Sequence, residues 1–427
     1  MKDLKKVAHL GVGLAIKLLA GLFSVKLCAY YLGPENFGVS GQLGSLLSII
    51  SLLAGGGISA GITKIYAGGA CPPESRSEWH RAGGRIVIIF ICVLIIALLL
   101  AAEWIVSRLF NGFQNGYWLI AGLTLAVVPL SYAAIGQGRI NGLHRDDLYA
   151  ASLILGSLLG VLGLIFLGKL LGAEGALLGM IWVMVAQALA MVLIGRLLKD
   201  KKSSPVTEVV VTKFWTKARF LLGYGVLSIS AGAVLPVTYI IIRLLIRAHG
   251  KGDEFGFWQA TLRISEAYTQ LPLLLLSTVL FARFAGSTSI SVEFQKVKRA
   301  YALMAIVMGL ITIFVYFTRN YWIKLVFTAE FQPMEAYLPW QLIGDALRIM
   351  SYVGTTILAA KGAVRVCVVG EFVQCALLLA TNFVLTPLFD VYGAYAAYIF
   401  TYALYFGASV VFVLKLKNRS ANAIAYS

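Results

Sequence analysis

Two segments place ionisable side chains inside long apolar runs: FGFWQATLRISEAY (255–268) and LPWQLIGDALRIM (338–350). Each opens with Trp-Gln, at Trp258-Gln259 and Trp340-Gln341. Five residues after each Trp comes a charge, Arg263 or Asp345; eight residues after comes its opposite, Glu266 or Arg348. At 1.5 Å per helical residue, both pairs lie about 12–17 Å from the Trp end, near a bilayer midplane. A guanidinium there is a fork for a phosphate or carboxylate. A carboxylate there is a carrier for a proton or cation, since charges at that depth are costly and mark function by default. Each pair is spaced i, i+3 and shares a helix face. Two arrangements are open. Arg263 meets Asp345 while Glu266 meets Arg348 across the helices, or each pair closes within its own helix.

Other charges fall at similar depth or at helix ends. Lys17 lies mid-run, too deep to snorkel easily. Arg243 follows Pro236, where a kink is expected. Lys64 and Lys361 sit at ends of apolar runs. The expected ligand-binding set is Lys17, Lys64, Arg243, Arg263, Gln341, Arg348 and Lys361, with Glu266 and Asp345 as ion-coupling or gating groups. Its charge leans basic and suits an anion such as pyrophosphate or a uronic acid.

The elements that position these residues are membrane spans. The 427-residue chain is 59% hydrophobic and 13% charged, against about 45–50% and 25% in soluble domains. Apolar runs fall near 7–31, 38–64, 85–107, 117–137, 149–169, 173–197, 217–245, 255–281, 299–318, 337–360, 364–387 and 391–413. Backbone groups in lipid must pair internally, so each run is a helix. Lys and Arg concentrate in alternate loops and at both ends, which places both termini in the cytoplasm. The same rule explains the net charge of +17 without nucleic acid. The five cysteines have no metal or redox spacing, no phosphate-binding loop is present, and the histidines are scattered. No cofactor is expected, and no enzyme activity.

The richest basic segment, about 199–216, lies mid-chain and reads as a linker between residues 1–198 and 217–427. The two halves repeat. Phe37-Gly38 matches Phe255-Gly256, and Gly175-Ala176 matches Gly393-Ala394, both at an offset of 218; Gly142 and Arg145 match Gly362 and Arg365 at 220. Six spans per half, an even number, make the repeat parallel. The expected fold is an all-α polytopic membrane protein of about twelve helices, built as two parallel six-helix bundles around a V-shaped cavity.

Several segments carry a family resemblance: YYLGPENFG (30–38), LLAGGGISAGITKIYA (52–67), LPVTYIIIRLL (235–245), FWQ with ISEAY (257–268), and WQLIGDALRI (340–349) followed by AAKG (359–362). They resemble the multidrug/oligosaccharidyl-lipid/polysaccharide exporter superfamily. Within it they are similar to the bacterial lipid-linked oligosaccharide flippases of the Wzx type, with those of enterobacterial common antigen nearest. The resemblance implies transfer of an undecaprenyl-pyrophosphate-linked oligosaccharide, such as lipid III or an O-antigen unit. Transfer would run from the cytoplasmic to the periplasmic leaflet of the bacterial inner membrane, by alternating access and with a role for an ion gradient. Implied partners are that substrate, membrane lipid, and the polymerase and chain-length regulator of the pathway. The alternative is a proton- or sodium-coupled drug antiporter of the same fold, whose cavity is more often acidic.

Overall fold

The computed structural model describes residues 2–67, 76–110, 113, 115–198, 214–285 and 290–425. The helices are α1 (Lys2–Ala54), α2 (Ser59–Ala67), α3 (Arg76–Leu100), α4 (Ala102–Leu109), α5 (Gly116–Gly142), α6 (Asp146–Arg196), α7 (Phe214–His249), α8 (Glu254–Leu275), α9 (Phe281–Ala285), α10 (Ile290–Val326), α11 (Leu338–Ala360) and α12 (Val364–Ala425). A π-helical turn, Leu276–Leu280, joins α8 to α9. A 3₁₀ segment, Ala329–Ala336, lies between α10 and α11.

Nine helices among the described residues are long and apolar enough to cross a membrane. Three of them are too long for one crossing. A 51-residue helix such as α6 extends about 77 Å, more than twice the roughly 30 Å hydrocarbon core. Each of the three breaks near its middle: α1 at Gly33 (φ 62°, ψ 176°), α6 at Gly172 (φ 59°, ψ −129°) and α12 at Asp390 (φ 51°, ψ −136°). Counted by limbs, the apolar helices give the twelve rods that the apolar runs predict. Large apolar side chains stand bare on their surfaces, Leu100 at 83% and Phe317 at 77% exposure. That is tolerable in lipid and not in water. The protein is a multi-pass, all-α membrane protein.

The internal repeat appears in the backbone. Gly172 and Asp390 lie 218 residues apart and adopt nearly the same positive-φ conformation. A Cβ on Gly175 would meet the Leu167 carbonyl oxygen at 1.9 Å; one on Gly393 would meet that of Leu385 at 2.0 Å. Both members of each contact are again 218 apart. The α5–α6 and α11–α12 turns carry positive φ at His144 (52°) and Gly362 (79°). The structural match there is also 218, so the sequence match of Gly142 with Gly362 is out of step by two.

The chain divides into two compact units: residues 1–32 with 39–240, and residues 33–38 with 241–427. In the first, Ile58, Ile62, Ile86, Val87, Ile135 and Leu221 form a buried cluster from α2, α3, α5 and α7. Beside it, Lys217 pairs with Glu78. In the second, Met304, Met308, Ile349, Val353 and Ile357 pack α10 against α11. Most of the basic mid-chain segment, residues 199–213, and Cys71 lie outside the described residues.

Candidate functional site

The polar centre of the second unit is Asp345, on α11 and fully buried. Ser265 Oγ donates to its Oδ2 at 2.6 Å, and the Tyr268 hydroxyl donates to the same oxygen. Tyr398 donates to Oδ1 at 2.8 Å. Gln341 Nε2, one helical turn back, donates to Oδ2 at 3.2 Å. Arg348, one turn forward, places Nη2 3.4 Å from Oδ1 and donates to Thr269 Oγ1 at 3.1 Å. One charge and four neutral donors therefore hold the carboxylate, as a buried ion must be held.

Sequence explains each placement. Gln341, Asp345 and Arg348 follow the i, i+4, i+7 stripe of one helix face. Ser265, Tyr268 and Thr269 form the matching stripe on α8. Tyr398 reaches Asp345 because Gly344 lies beneath its ring: a Cβ there would sit 2.2 Å from Tyr398 Cδ1. A stack of rings lies beyond this layer. Tyr395 donates to or accepts from Thr261 at 2.7 Å, and its ring lies 5.8 Å from that of Tyr337. Burial, with the Glu254 carboxylate 3.4 Å away, pushes the Tyr337 phenol up to about 12. It stays neutral at physiological pH. Near the α12 break, Lys251 meets Asp390 at 3.0 Å, which raises the Lys251 ammonium above its usual range.

The crossed pairing is corrected. Arg263 Nη1 bonds Glu266 Oε2 at 2.8 Å within α8, and Arg348 pairs with Asp345 within α11. Helical geometry gives the reason. At about 100° per residue, Ser265, Tyr268 and Thr269 cluster on the side of α8 facing Asp345. Glu266 is turned roughly 110° away and Arg263 roughly 170°, both by the same spacing. Exchanging the two charges within α8, Arg263→Glu with Glu266→Arg, is therefore expected to restore most of what either single change loses, read as protein stability in detergent. Rescue by Arg263→Asp with Asp345→Arg instead would reinstate the crossed arrangement.

The remaining sites disperse. Arg243 is buried, with Nε donating to Gln259 Oε1 at 2.9 Å and its guanidinium 5.6 Å from the Trp258 ring centre. Lys361 caps the C-terminus of α11, where a cation complements the helix dipole. Lys64 is in the last turn of α2 and donates to the Tyr224 hydroxyl at 2.6 Å. Lys17 lines a half-open cleft of about 410 Å³ in the first unit. Gln341, Asp345 and Arg348 are thus gathered in one network, Arg263 and Glu266 pair with each other on another side of α8, and Lys17, Lys64, Arg243 and Lys361 lie outside both groups. Sequence reasoning missed Ser265, Thr269, Tyr395 and Tyr398. The signal for the last two was present: Tyr395, Tyr398, Tyr402 and Tyr405 recur at 3- and 4-residue spacing, one face of α12.

No family model matches the chain. The structure is similar to that of a multidrug resistance MATE family transporter of the MOP superfamily, with a TM-score of 0.72 at 14% identity, covering 97% of this chain and 99% of that one. The chain shares the fold of that transporter. The MOP fold also relates it to the lipid II flippase MurJ, with a TM-score of 0.69 at 12% identity over 96% of this chain and 90% of that one. In sequence it is 28% identical to the lipid III flippase of Escherichia coli K12 over 393 residues, 92% of this chain and 93% of the relative; the Shigella flexneri lipid III flippase matches equally. These relatives are flippases and transporters, not enzymes. Among them, the MOP fold is shared throughout, and the near end-to-end sequence match is with the lipid III flippases.

Proposed function

We propose that this protein flips an undecaprenyl-pyrophosphate-linked oligosaccharide, of the lipid III or O-antigen type, from the cytoplasmic to the periplasmic leaflet of a bacterial inner membrane, with both termini cytoplasmic. The observation that carries this reading is the match to lipid III flippases over 92% of the chain. The chemistry on α8 and α11 supports it. Arg348, with its side chain 12% exposed, is a guanidinium held inside an apolar helix by the Thr269 hydroxyl and one carboxylate. An anionic headgroup competes with Asp345 for it by the same fork geometry. Ion coupling belongs to the same proposal: when the headgroup takes Arg348, Asp345 is the carboxylate left to take up a proton or cation. Glu266, with its side chain 56% exposed, is the second such group.

The test is protein-dependent exchange of a labelled undecaprenyl-pyrophosphate oligosaccharide between leaflets of proteoliposomes. Movement of an organic cation in its place would support the drug-antiporter alternative.

A further inference from the structure

The second unit carries a half-open groove of about 310 Å³ between α10, α11 and the second limb of α12. α10 and that limb run antiparallel along it, and two contacts mark its ends. At one end the Tyr301 and Phe406 rings lie 6.1 Å apart. At the other the Lys417 ammonium lies 4.1 Å from the centre of the Phe294 ring. Phe406 and Lys417 are separated by eleven residues, so the groove is roughly 16 Å long. Val410 and Val413 line it between these ends. Tyr301 sits deep because Gly354 has no side chain: a Cβ there would meet the Tyr301 hydroxyl at 2.7 Å. Both helices expose apolar side chains next to the groove, Leu303 at 52% and Val411 at 48%. It therefore opens among side chains suited to lipid.

Its basic end is unlike its walls. Lys298 also lines the groove, and its ammonium lies 5.4 Å from the same Phe294 ring centre. The ring face attracts both cations and so holds them close together. Among the described residues no carboxylate lines the groove, and neither lysine enters an ion pair. Two ammoniums brought together repel; an anion placed between them turns that repulsion into attraction. The surrounding sequence is basic too, with Lys296 and Arg299 on α10 and Lys415 on α12. Basic residues at the ends of apolar helices mark a membrane–water interface, and basic pockets between such helices take anionic headgroups. A narrow apolar trough that ends in two cations at an interface has the polarity of one lipid: an acyl chain, then a phosphodiester.

We propose that this groove binds an anionic phospholipid of the phosphatidylglycerol class, with one acyl chain along Tyr301 and Phe406 and the phosphate between Lys298 and Lys417. Phosphatidylethanolamine has the same phosphate but carries its own ammonium, which the two lysines repel. The site is independent of what the protein transports. The test uses the full chain in phosphatidylcholine vesicles doped with a phosphatidylglycerol or a phosphatidylethanolamine probe, each with a photoreactive diazirine in one acyl chain. Labelled peptides are then located by mass spectrometry. The phosphatidylglycerol probe is expected to label 294–301 and 406–414 about tenfold more than the other, within what two lysines near a membrane surface contribute. Leu310 and Phe317, exposed further along α10, serve as reference and should be labelled alike by both. Lys298→Gln with Lys417→Gln should bring groove labelling down to the phosphatidylethanolamine level and leave the reference unchanged. Lys298→Arg with Lys417→Arg should keep most of the preference. Equal labelling of the groove by the two probes, or a preference that survives the double glutamine change, would overturn the proposal. So would loss of groove labelling to equimolar undecaprenyl phosphate, which would reassign the groove to an isoprenoid carrier, or to inorganic phosphate, which would make it an anion site without a lipid.

Discussion

Arg348→Met is expected to destabilise the protein by about 3–5 kcal/mol, the usual consequence of stripping the partner from a buried charge. Asp345 is fully buried, and the donors left to it, Ser265, Tyr268, Tyr398 and Gln341, are all neutral. They satisfy its lone pairs without balancing its charge. The double change Asp345→Asn with Arg348→Met should recover most of the loss, because an amide oxygen in the place of Oδ2 still accepts from Ser265 and Tyr268, and the Tyr398 hydroxyl can rotate to accept from the amide nitrogen. Transport should stay absent in both, since neither keeps the guanidinium. The measurement is the unfolding midpoint in detergent for wild type, single and double variants. A double variant as unstable as the single one would mean that Asp345 and Arg348 do not act as a pair.

Gly175→Ala and Gly393→Ala should be damaging to a similar degree, each beyond the about 1–3 kcal/mol of ordinary overpacking. In both, the new methyl would be forced against a backbone carbonyl, Leu167 or Leu385, at about 2 Å, and a backbone oxygen cannot rotate aside as a side chain can. Both sites sit three residues after a positive-φ break, Gly172 or Asp390. The shared turn thus predicts a shared penalty, read from unfolding midpoints. Tolerance at one site and collapse at the other would show that the two units do not use one turn.

Much of this was legible in the sequence because the bilayer leaves few choices. Twelve apolar runs could only be helices. The offset of 218, read from Gly38 with Gly256 and Gly175 with Gly393, recurs in the backbone angles at Gly172 and Asp390. The position of Asp345 and Arg348 along α11 was also readable, since rise per residue is constant. Rotation about the helix axis was not readable with the same ease. Depth alone made Arg263 a partner for Asp345, yet α8 turns Arg263 to its far side and presents Ser265 and Tyr268 instead. Serine and tyrosine are common in spans, and only packing against α11 marks these two as ligands of a carboxylate. The cleft at Lys17 was equally hidden. A cleft is defined by the side chains that neighbouring helices bring together, and that became visible when Ala134 and Gln187 were set against Tyr352 and Tyr405, their counterparts at the offset of 218.

The central claim, that this MOP-fold protein moves a lipid-linked sugar by way of a guanidinium site on α11, is tested most directly by the leaflet assay. A labelled undecaprenyl-pyrophosphate oligosaccharide is placed in proteoliposomes, and its accessibility to an external hydrolase is followed. Exchange should require the protein, and Arg348→Gln should slow it at least about tenfold, the loss of one charge-assisted contact. Exchange at the wild-type rate in Arg348→Gln, or none above protein-free vesicles with the wild type, would contradict the claim.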